Sequence, residues 1–346
     1  MPISFSDGSV CKNGGASTES RSLIDNYNRK ITYLRLSVTD RCNLRCRYCC
    51  PEEGVVLVPH EEILSFEELH RLVRIFASLG VSKVRITGGE PFARRDLVNF
   101  LLKLKSSVEG LRTLSITTNG VQTFHHLEAL KAAGVDGINL SLDTLDKQRF
   151  LNITRRDRLD DVLRTFHAAL ALAIPLKVNS VVLEDTEDSD LINLASLGKD
   201  NPVTVRFIER MPFSGSGTVA HHERDRLVAR LRRIFPAMKE VEQSLPTTAR
   251  IFSLPGYQGK IGVIEGNSRH FCSSCNKVRI TATGMLKTCL YDNGVLDLRA
   301  LLRSDCDDEG IADAIIRSVQ KSFVDGHAAE AVSLRKSEPS MAVIGG

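Results

Sequence analysis

Six of the nine cysteines in this 346-residue chain fall into two groups of three, and thiols crowded in this way are typical of metal sites. The first group has the spacing C-x3-C-x2-C and consists of Cys42, Cys46 and Cys49. The second group has the spacing C-x2-C-x13-C and consists of Cys272, Cys275 and Cys289. The chemistry to consider first is therefore that of zinc or of iron–sulfur clusters.

The number of ligands in each group distinguishes these two chemistries. A structural zinc site uses four tetrahedral ligands, and neither group has a fourth ligand at the usual spacing, although His270 or Cys50 remains available. Three thiolates on a four-iron cluster leave one iron open to an external ligand, which suits a reaction centre better than an electron carrier. Two incomplete groups in one chain favour catalysis. We interpret the other cysteines, Cys11, Cys50 and Cys306, as bystander thiols.

The composition is that of a globular protein, with 42% hydrophobic and 25% charged residues. A net charge of +4 is too small to indicate a general nucleic-acid role, although local basic clusters remain able to hold an anion. The chain has no apolar run long enough for a transmembrane helix, and residues 1–24 lack the apolar core of a signal peptide. We expect a cytoplasmic protein, a setting in which disulfides are rare.

The cysteine groups must be positioned by secondary structure, and a regular alternation of strands and helices precedes the second group. Hydrophobic patterning predicts strands at 31–38, 83–87, 113–118, 137–142, 176–183 and 203–208. Helices are predicted between them, one starting with the capping-box pair Ser65 and Glu68 and ending at Gly80. Six βα units predict a parallel sheet covered by helices, as an incomplete TIM-type barrel or an open doubly wound sheet.

In either architecture ligands bind at the carboxyl ends of the strands, where the first cysteine group and the motif GGEP (88–91) lie. After about residue 236 the alternation ends. The segments ARIFSL and KIGVI predict antiparallel strands, and a hairpin is predicted to turn at Thr283 and Gly284 with Cys289 on its second strand. The predicted domains are a flexible tail (1–24), a barrel (25–236), a smaller β-rich module with the second cysteine group (237–333) and a C-terminal tail (334–346).

Basic residues on the predicted barrel strands form a third pattern. Four of them lie on different strands: Arg35, Arg85, Lys177 and Arg206. A solvated, outward-facing side chain is the ordinary explanation for any one of them, whereas an inward-facing charge is costly unless something pairs with it. Four on one set of strands favour an anionic ligand.

These motifs resemble two related protein families. A C-x3-C-x2-C group after the first strand, an aromatic residue (Tyr48) before its third cysteine, and GGEP after the second strand resemble the radical S-adenosylmethionine enzymes. The segment FCSSCNKVRITATGMLKTCL and the final IGG resemble, more narrowly, the GTP 3',8-cyclases of molybdenum cofactor biosynthesis. This resemblance runs from about residue 30 to the C-terminus. It implies an incomplete (βα)6 barrel with a C-terminal module that binds a second cluster.

The resemblance implies two [4Fe-4S] clusters, each held by one cysteine group, with S-adenosylmethionine bound to the open iron of the first. Reductive cleavage then gives a 5'-deoxyadenosyl radical, a case in which the cofactor supplies the difficult chemistry. The implied contacts to S-adenosylmethionine are Tyr48, Gly88, Gly89, Glu90, Ser141 and Met211. The two glycines would allow the backbone to approach the methionine moiety closely.

The same resemblance implies that GTP lies between the clusters, with its guanine at the second. The radical would remove hydrogen from ribose C3', and the resulting carbon radical would attack guanine C8 to give 3',8-cyclo-7,8-dihydro-GTP. The implied GTP contacts are Arg35, Lys83, Arg85, Thr117, Lys177, Arg206, Lys277 and Arg279. Lys277 stands where the family usually has Arg, so it keeps the charge and loses the planar fork. The last two residues, Gly345 and Gly346, would reach into the site.

Two other functions remain open at this point. A radical S-adenosylmethionine enzyme that modifies a peptide also uses auxiliary clusters, usually in a module richer in cysteine. A non-enzymatic zinc- or RNA-binding module would use CxxC pairs, but the chain has no Trp and only 5% aromatic residues. The implied partners of the cyclase are GTP, a low-potential electron donor, a downstream cyclic pyranopterin monophosphate synthase and a second copy of the chain. Neither nucleic acid nor a membrane is expected as a partner.

Overall fold

The computed structural model describes residues 22–51, 53–54, 56–211, 226–243, 247–266, 272–333 and 341–344. The strands of these residues are β1 (Tyr33–Ser37), β2 (Lys83–Thr87), β3 (Thr113–Thr118), β4 (Gly137–Ser141), β5 (Leu176–Val182), β6 (Thr204–Glu209), β7 (Lys239–Val241), β8 (Arg250–Ser253), β9 (Lys260–Ile264), β10 (Lys277–Ile280), β11 (Met285–Lys287) and β12 (Leu296–Asp297). The α-helices are α1 (Phe66–Ser78), α2 (Leu97–Ser107), α3 (Leu127–Ala132), α4 (Lys147–Thr154), α5 (Leu159–Ala171), α6 (Asp188–Ser196), α7 (Arg226–Ile234), α8 (Leu298–Leu302), α9 (Asp308–Val319), α10 (Gly326–Val332) and α11 (Met341–Ile344).

All of these strands belong to one open sheet in the order β12-β11-β10-β1-β2-β3-β4-β5-β6-β9-β8-β7. Strands β1 to β6 are neighbours in sequence order and pair in parallel, with helices on the connections, as predicted for the six βα units. The sheet does not close on itself. The fold is therefore the predicted incomplete barrel.

The C-terminal segment extends this sheet at both edges. Strand β9 pairs in parallel with β6 at one edge, and β10 pairs in parallel with β1 at the other. The antiparallel pairs β8·β9 and β10·β11 confirm the predicted hairpins, the second turning at Thr283 and Gly284. Cys289 lies two residues beyond β11 and not on it, because the antiparallel pairing ends at Lys287. The predicted module thus flanks the barrel on two sides.

Helix α1 shows how local sequence fixes the elements that cover the sheet. The Ser65 side chain accepts a hydrogen bond from the Glu68 backbone and the Glu68 side chain accepts one from the Ser65 backbone, so the predicted capping box is present. Gly80, with φ +89°, ends the helix in a conformation that other residues adopt at a cost. The buried face of α1 includes Phe76, whose replacement by Ala would cost about 3–5 kcal/mol.

The ordered core begins earlier and ends later than the predicted tails allow. Leu23 is fully buried, and Ile24 forms a β-bridge with Lys30, although residues 1–24 were predicted to be flexible. Within the predicted C-terminal tail, α11 buries Ile344 beside Tyr291 and Ala329. In the described residues, no helix combines the length and the apolar character needed to span a bilayer.

Candidate functional site

A cavity of about 620 Å³ runs along the inner face of the parallel strands. Both cysteine groups line it, and so do all the residues predicted to contact S-adenosylmethionine or GTP, with one exception, Glu90. Gly345 and Gly346 lie outside the described residues. Met341, the first residue of α11, lines the cavity, so the chain approaches the site shortly before its end.

The first cysteine group lies on the loop that follows β1. The loop is held by backbone hydrogen bonds from Arg45 to the Thr154 carbonyl (3.0 Å) and from Arg47 to the Ile153 carbonyl (2.9 Å). Burial raises the pKa of Cys46 well above its usual range, and the neighbouring Asp143 carboxylate raises it further. Burial also raises the pKa of Cys42. A positive partner such as a metal would favour the thiolate form of these sulfurs, because it takes the place of the protons.

Gly88 and Gly89 hold the β2 loop against the cysteine loop. A Cβ at Gly88 would lie 2.6 Å from the Thr39 carbonyl oxygen, and one at Gly89 would lie 2.3 Å from that of Arg41. Gly88 also has φ +148°. The absent side chains are therefore required by the close approach of two protein loops, whereas the sequence analysis attributed them to a ligand. Both glycines still line the cavity.

Glu90 lies behind the cavity wall. Its carboxylate accepts hydrogen bonds from the Phe92 backbone (3.1 Å), the Thr118 hydroxyl (2.8 Å) and the Asn119 backbone (2.7 Å). Burial raises the pKa of Glu90 to about 7. With these contacts Glu90 fixes the loop after β3, and the Asn119 amide of that loop donates to Cys42 Sγ at 3.7 Å.

Tyr48, Ser141 and Met211 all line the cavity, and Met211 packs, like Cys289, against the cluster that contains Tyr291. The Tyr48 hydroxyl donates to Asp143 (2.8 Å), whose second oxygen accepts from the Val181 backbone (2.8 Å). Burial raises the pKa of Asp143 to about 6 and, together with the Asp143 charge, raises that of Tyr48. Tyr48 is thus held in one place by a buried carboxylate that the sequence analysis did not identify.

A basic surface, named here the cationic wall, covers the inner face of the strands. Its members are Arg35, Lys83, Arg85, Lys177, Arg206, Lys277 and Arg279. The sheet register places Arg35 between Arg85 and Arg279, and places Lys83 and Lys277 on either side of Tyr33. The predicted common face of Lys277 and Arg279 is confirmed, since both line the cavity from β10. The cations therefore face one another across adjacent strands.

Among the described residues, no carboxylate forms an ion pair with six members of the cationic wall: Arg35, Lys83, Arg85, Lys177, Arg206 and Lys277. Burial, together with the charges of neighbouring arginines, lowers the pKa of Lys177 to about 8 and that of Arg206 to about 10. Burial and the Arg279 charge lower the pKa of Arg35. Such a surface is costly unless an anion binds to it.

Several buried polar atoms in the cavity also lack hydrogen-bond partners in the described part of the chain. They are Tyr33 OH, Arg35 Nε, Thr117 Oγ1, Asn179 Oδ1 and Arg206 Nε. Buried polar groups in folded proteins are almost always hydrogen-bonded, so a cluster of exceptions indicates a polar ligand. Together with the cations, these atoms fit a polyanion such as a nucleotide triphosphate.

The second cysteine group lies at the opposite end of β1 from the first. Cys272 and Cys275 precede β10, and the carbonyl of Asn276 accepts from the Tyr33 backbone (3.1 Å) at the start of β1. Burial raises the pKa of Cys289 to about 11, and Asp292 accepts from its backbone (2.8 Å). Because β1 rises about 3.3 Å per residue, the cavity separates the two groups by the length of a strand.

Arg29, which is far from the second cysteine group in the sequence, holds that group in place. Its guanidinium donates to the carbonyls of Cys272 (2.9 Å), Phe323 (2.6 Å) and Val324 (2.8 Å), and it pairs with Asp25 (2.6 Å). No motif in the sequence marks Arg29. Tyr33 was also missed, although the alternation that points Arg35 inward applies equally to the residue two positions before it.

The donor sets fit iron–sulfur clusters. All six cysteines of the two groups line one cavity. A four-iron cluster binds each thiolate through a different iron, so its ligands surround a body larger than one ion. Within the described residues, no three Cys, His, Asp or Glu side chains converge as the ligands of a single ion would. Cys50 is buried and does not line the cavity. Cys306 is also buried away from the cavity, but it is disulfide-bonded and so is not the bystander thiol expected from the sequence. Cys11 lies outside the described residues.

Comparisons with known families and proteins agree with this site. Residues 36–198 match the radical SAM superfamily, and residues 203–323 match the family described as molybdenum cofactor synthesis C. The chain is 39% identical over 307 residues to the GTP 3',8-cyclase of Moorella thermoacetica, an alignment that covers 88% of this chain and 94% of that protein. It is 41% identical over 306 residues to the mitochondrial GTP 3',8-cyclase of Arabidopsis thaliana, covering 86% and 77% respectively.

A longer relative and a solved structure extend the comparison. Human molybdenum cofactor biosynthesis protein 1 is 38% identical over 327 residues, covering 93% of this chain, which spans about half (51%) of the human protein. The structure of Streptococcus suis SuiB bound to S-adenosylmethionine superposes with a TM-score of 0.58 at 18% identity, covering 83% of this chain and 69% of SuiB. That likeness shows the fold alone. On the family matches and the cyclase relatives, the chain is an enzyme that belongs to the GTP 3',8-cyclase family of radical S-adenosylmethionine proteins.

Proposed function

We propose that this enzyme converts GTP into 3',8-cyclo-7,8-dihydro-GTP, the first step of molybdenum cofactor biosynthesis. One observation supports it most strongly: a single cavity has a cysteine group at each end and the cationic wall between them. A triphosphate offsets part of the positive charge of that wall, and a nucleotide is long enough to extend from it towards a cluster. A peptide substrate carries no comparable charge, so the wall favours the nucleotide.

At one end, Cys42, Cys46 and Cys49 would hold the first [4Fe-4S] cluster, and Tyr48, Gly88, Gly89, Ser141 and Met211 would surround S-adenosylmethionine. When bound, these cofactors would supply the 5'-deoxyadenosyl radical that removes hydrogen from ribose C3' before that carbon attacks guanine C8. The chain's part is to orient the reactants. Glu90 contributes indirectly, because its hydrogen bond to the Asn119 backbone holds the loop whose Asn119 amide contacts Cys42.

At the other end, Cys272, Cys275 and Cys289 would hold a second [4Fe-4S] cluster next to the guanine. Arg35, Lys83, Arg85, Lys177, Arg206, Lys277 and Arg279 would bind the triphosphate, and the unpartnered Thr117 hydroxyl would hydrogen-bond the nucleotide. Charge-assisted hydrogen bonds of this kind fix a substrate in place, which is the main service a protein gives to radical chemistry.

We also propose that Gly345 and Gly346 enter the cavity. The support is the position of α11, since Met341 lines the cavity and Ile344 packs beside Tyr291. Extra residues after Gly346 should lower turnover and leave the iron content unchanged. A C-terminal extension with full activity would contradict this placement.

The remaining partners follow from the reaction. An electron donor of low potential must supply two electrons per turnover: one for the reductive cleavage of S-adenosylmethionine, and one that, with a proton, converts the cyclised nucleotide radical into the dihydro product. A cyclic pyranopterin monophosphate synthase must consume that product. A homodimer is proposed from the family resemblance alone.

The test is whether formation of 5'-deoxyadenosine depends on GTP. The protein is purified without oxygen, its clusters are reconstituted, and a reductant and S-adenosylmethionine are added with and without GTP. We expect strong stimulation by GTP and accumulation of a cyclised nucleotide. If 5'-deoxyadenosine forms at the same slow rate with and without GTP, the assignment of GTP as the substrate is rejected and the assignment of radical chemistry stands. Absence of 5'-deoxyadenosine from a cluster-loaded sample would reject both.

A further inference from the structure

Tyr33 lies at the centre of the cationic wall without belonging to any recognised motif. It is the first residue of β1 and points to the cavity side, like Arg35 two residues later. The register pairs it with Lys83 on β2 and with Lys277 on β10. Only 6% of Tyr33 is exposed, so its surroundings are protein and cavity.

Three cations contact the ring of Tyr33. The Lys83 Nζ lies 4.8 Å from the ring centroid, the Arg85 Cζ 5.4 Å and the Lys277 Nζ 5.7 Å. The negative face of an aromatic ring attracts a cation, more strongly when both are removed from water. A single ring therefore offsets part of the repulsion among three like charges that have no carboxylate partner among the described residues.

The hydroxyl of Tyr33 is the second unusual feature. It is buried, yet among the described residues nothing accepts or donates a hydrogen bond to it. A phenol has one O–H donor, and burying a donor without a partner is unfavourable. A ligand that brings an acceptor oxygen to this place would remove that cost.

We propose that Tyr33 is a substrate-positioning residue whose hydroxyl donates a hydrogen bond to a phosphate oxygen of the bound nucleotide while its ring holds the three cations together. The proposal rests on the proposed function, because it assumes that the cationic wall binds the triphosphate. An acceptor that is negatively charged suits this place best, since the same three cations lie around the ring. A neutral acceptor on the base or ribose would leave those charges uncompensated.

The test compares nucleotide affinities of cluster-loaded protein in the absence of S-adenosylmethionine, so that no turnover occurs. Equilibrium dialysis gives the Kd of GTP, GMP and guanosine for the wild type and for Tyr33→Phe, which keeps the ring and loses the hydroxyl. A hydrogen bond to a charged acceptor predicts a Kd for GTP about tenfold higher in Tyr33→Phe. The Kd of guanosine should not change. Tyr257→Phe, outside the cavity, is the matched control and should bind GTP like the wild type.

A second variant separates the ring from the hydroxyl. Tyr33→Leu removes both, and we expect a lower Tm than that of Tyr33→Phe, with a larger rise of the Tm on adding inorganic tripolyphosphate. This result is expected because an added polyanion then replaces the charge compensation that the ring gave.

The outcomes are distinguishable. An unchanged GTP affinity in Tyr33→Phe, or an equal loss for GTP and guanosine, would overturn the proposal. Failure of the wild type itself to bind GTP would overturn the proposed function instead, and the tripolyphosphate arm would still show whether the wall binds a polyanion.

Discussion

The surroundings of the first cysteine group and the cationic wall are built on opposite principles. Around the first cysteine group, the polar side chains satisfy one another: Glu90 accepts three hydrogen bonds and Asp143 accepts from Tyr48 and Val181. Along the cationic wall, the charges face one another, and buried atoms such as Arg35 Nε and Thr117 Oγ1 have no hydrogen-bond partner among the described residues. The polar side chains of the first region are hydrogen-bonded without a ligand, whereas the cationic wall becomes favourable only with an anion.

The largest effect is expected at the first cysteine group. Replacing Cys46 by Ala removes a cluster ligand, so activity should disappear and the iron content of reconstituted protein should fall by about half, because one of two clusters is lost. Iron analysis and visible absorption measure this. Cys50→Ala is the control, since Cys50 lies outside the cavity, and should retain all the iron. Full iron content in Cys46→Ala would contradict the ligand assignment.

Removing a charge from the cationic wall should stabilise the free protein and weaken GTP binding. Arg35→Met removes a buried, uncompensated charge, so the free protein should melt about 2 °C higher while the Kd for GTP rises about 50-fold. Calorimetry and dialysis measure the two quantities. Arg233→Met, an exposed arginine on α7, should change neither. A lower Tm in Arg35→Met would show that the wall is compensated within the protein.

At Glu90 we expect a loss of stability with little change in GTP affinity. Glu90→Gln places an amide where three donors point, so the free energy of unfolding should fall by about 2 kcal/mol, and GTP affinity should stay within about twofold. Denaturant unfolding and dialysis check this. A loss of GTP affinity without a loss of stability would mean that Glu90 contacts the nucleotide.

The pH dependence of GTP binding should report Lys177. Its pKa is lowered to about 8, so it loses its proton as the pH rises from 7 to 9, where an ordinary lysine stays charged. Since only the charged form attracts phosphate, the Kd for GTP should rise about tenfold over this range. Dialysis with Lys177→Gln should show a much flatter profile, and an equally steep one would assign the titration to another group. The stability of the free protein should change in the opposite sense. Its free energy of unfolding should rise as the pH increases above 8, because loss of the Lys177 proton relieves the cost of burying the charge.

The smallest effect is expected at Lys277. Lys277→Arg restores the planar fork that suits a phosphate, and the Kd for GTP should fall about threefold. Dialysis measures this change, and the iron content serves as the control. A weaker affinity would indicate that the space beside the Tyr33 ring fits only the narrower lysine.

Much of the fold was accessible from local patterns. The six barrel strands lie within about two residues of the predicted ranges, and the capping box of α1 is present, because strand alternation and helix caps are properties of neighbouring residues. The attachment of β9 and β10 to opposite edges of the barrel was not predicted. It depends on pairing between segments far apart in the chain, for which hydrophobic patterning carries no register.

The same division applies to the site. The sequence by itself determined the chemistry: two groups of three thiols, a glycine pair after the second strand, and basic residues at inward positions of the strands. Only the tertiary structure decided that both cysteine groups face one cavity and that Glu90 points away from it. It also decided that Arg29 holds the Cys272 loop and that three cations lie beside the ring of Tyr33. Residue types are written in the chain, but burial, charge compensation and unpartnered atoms depend on what packs around each side chain, which only long-range pairing of the strands establishes.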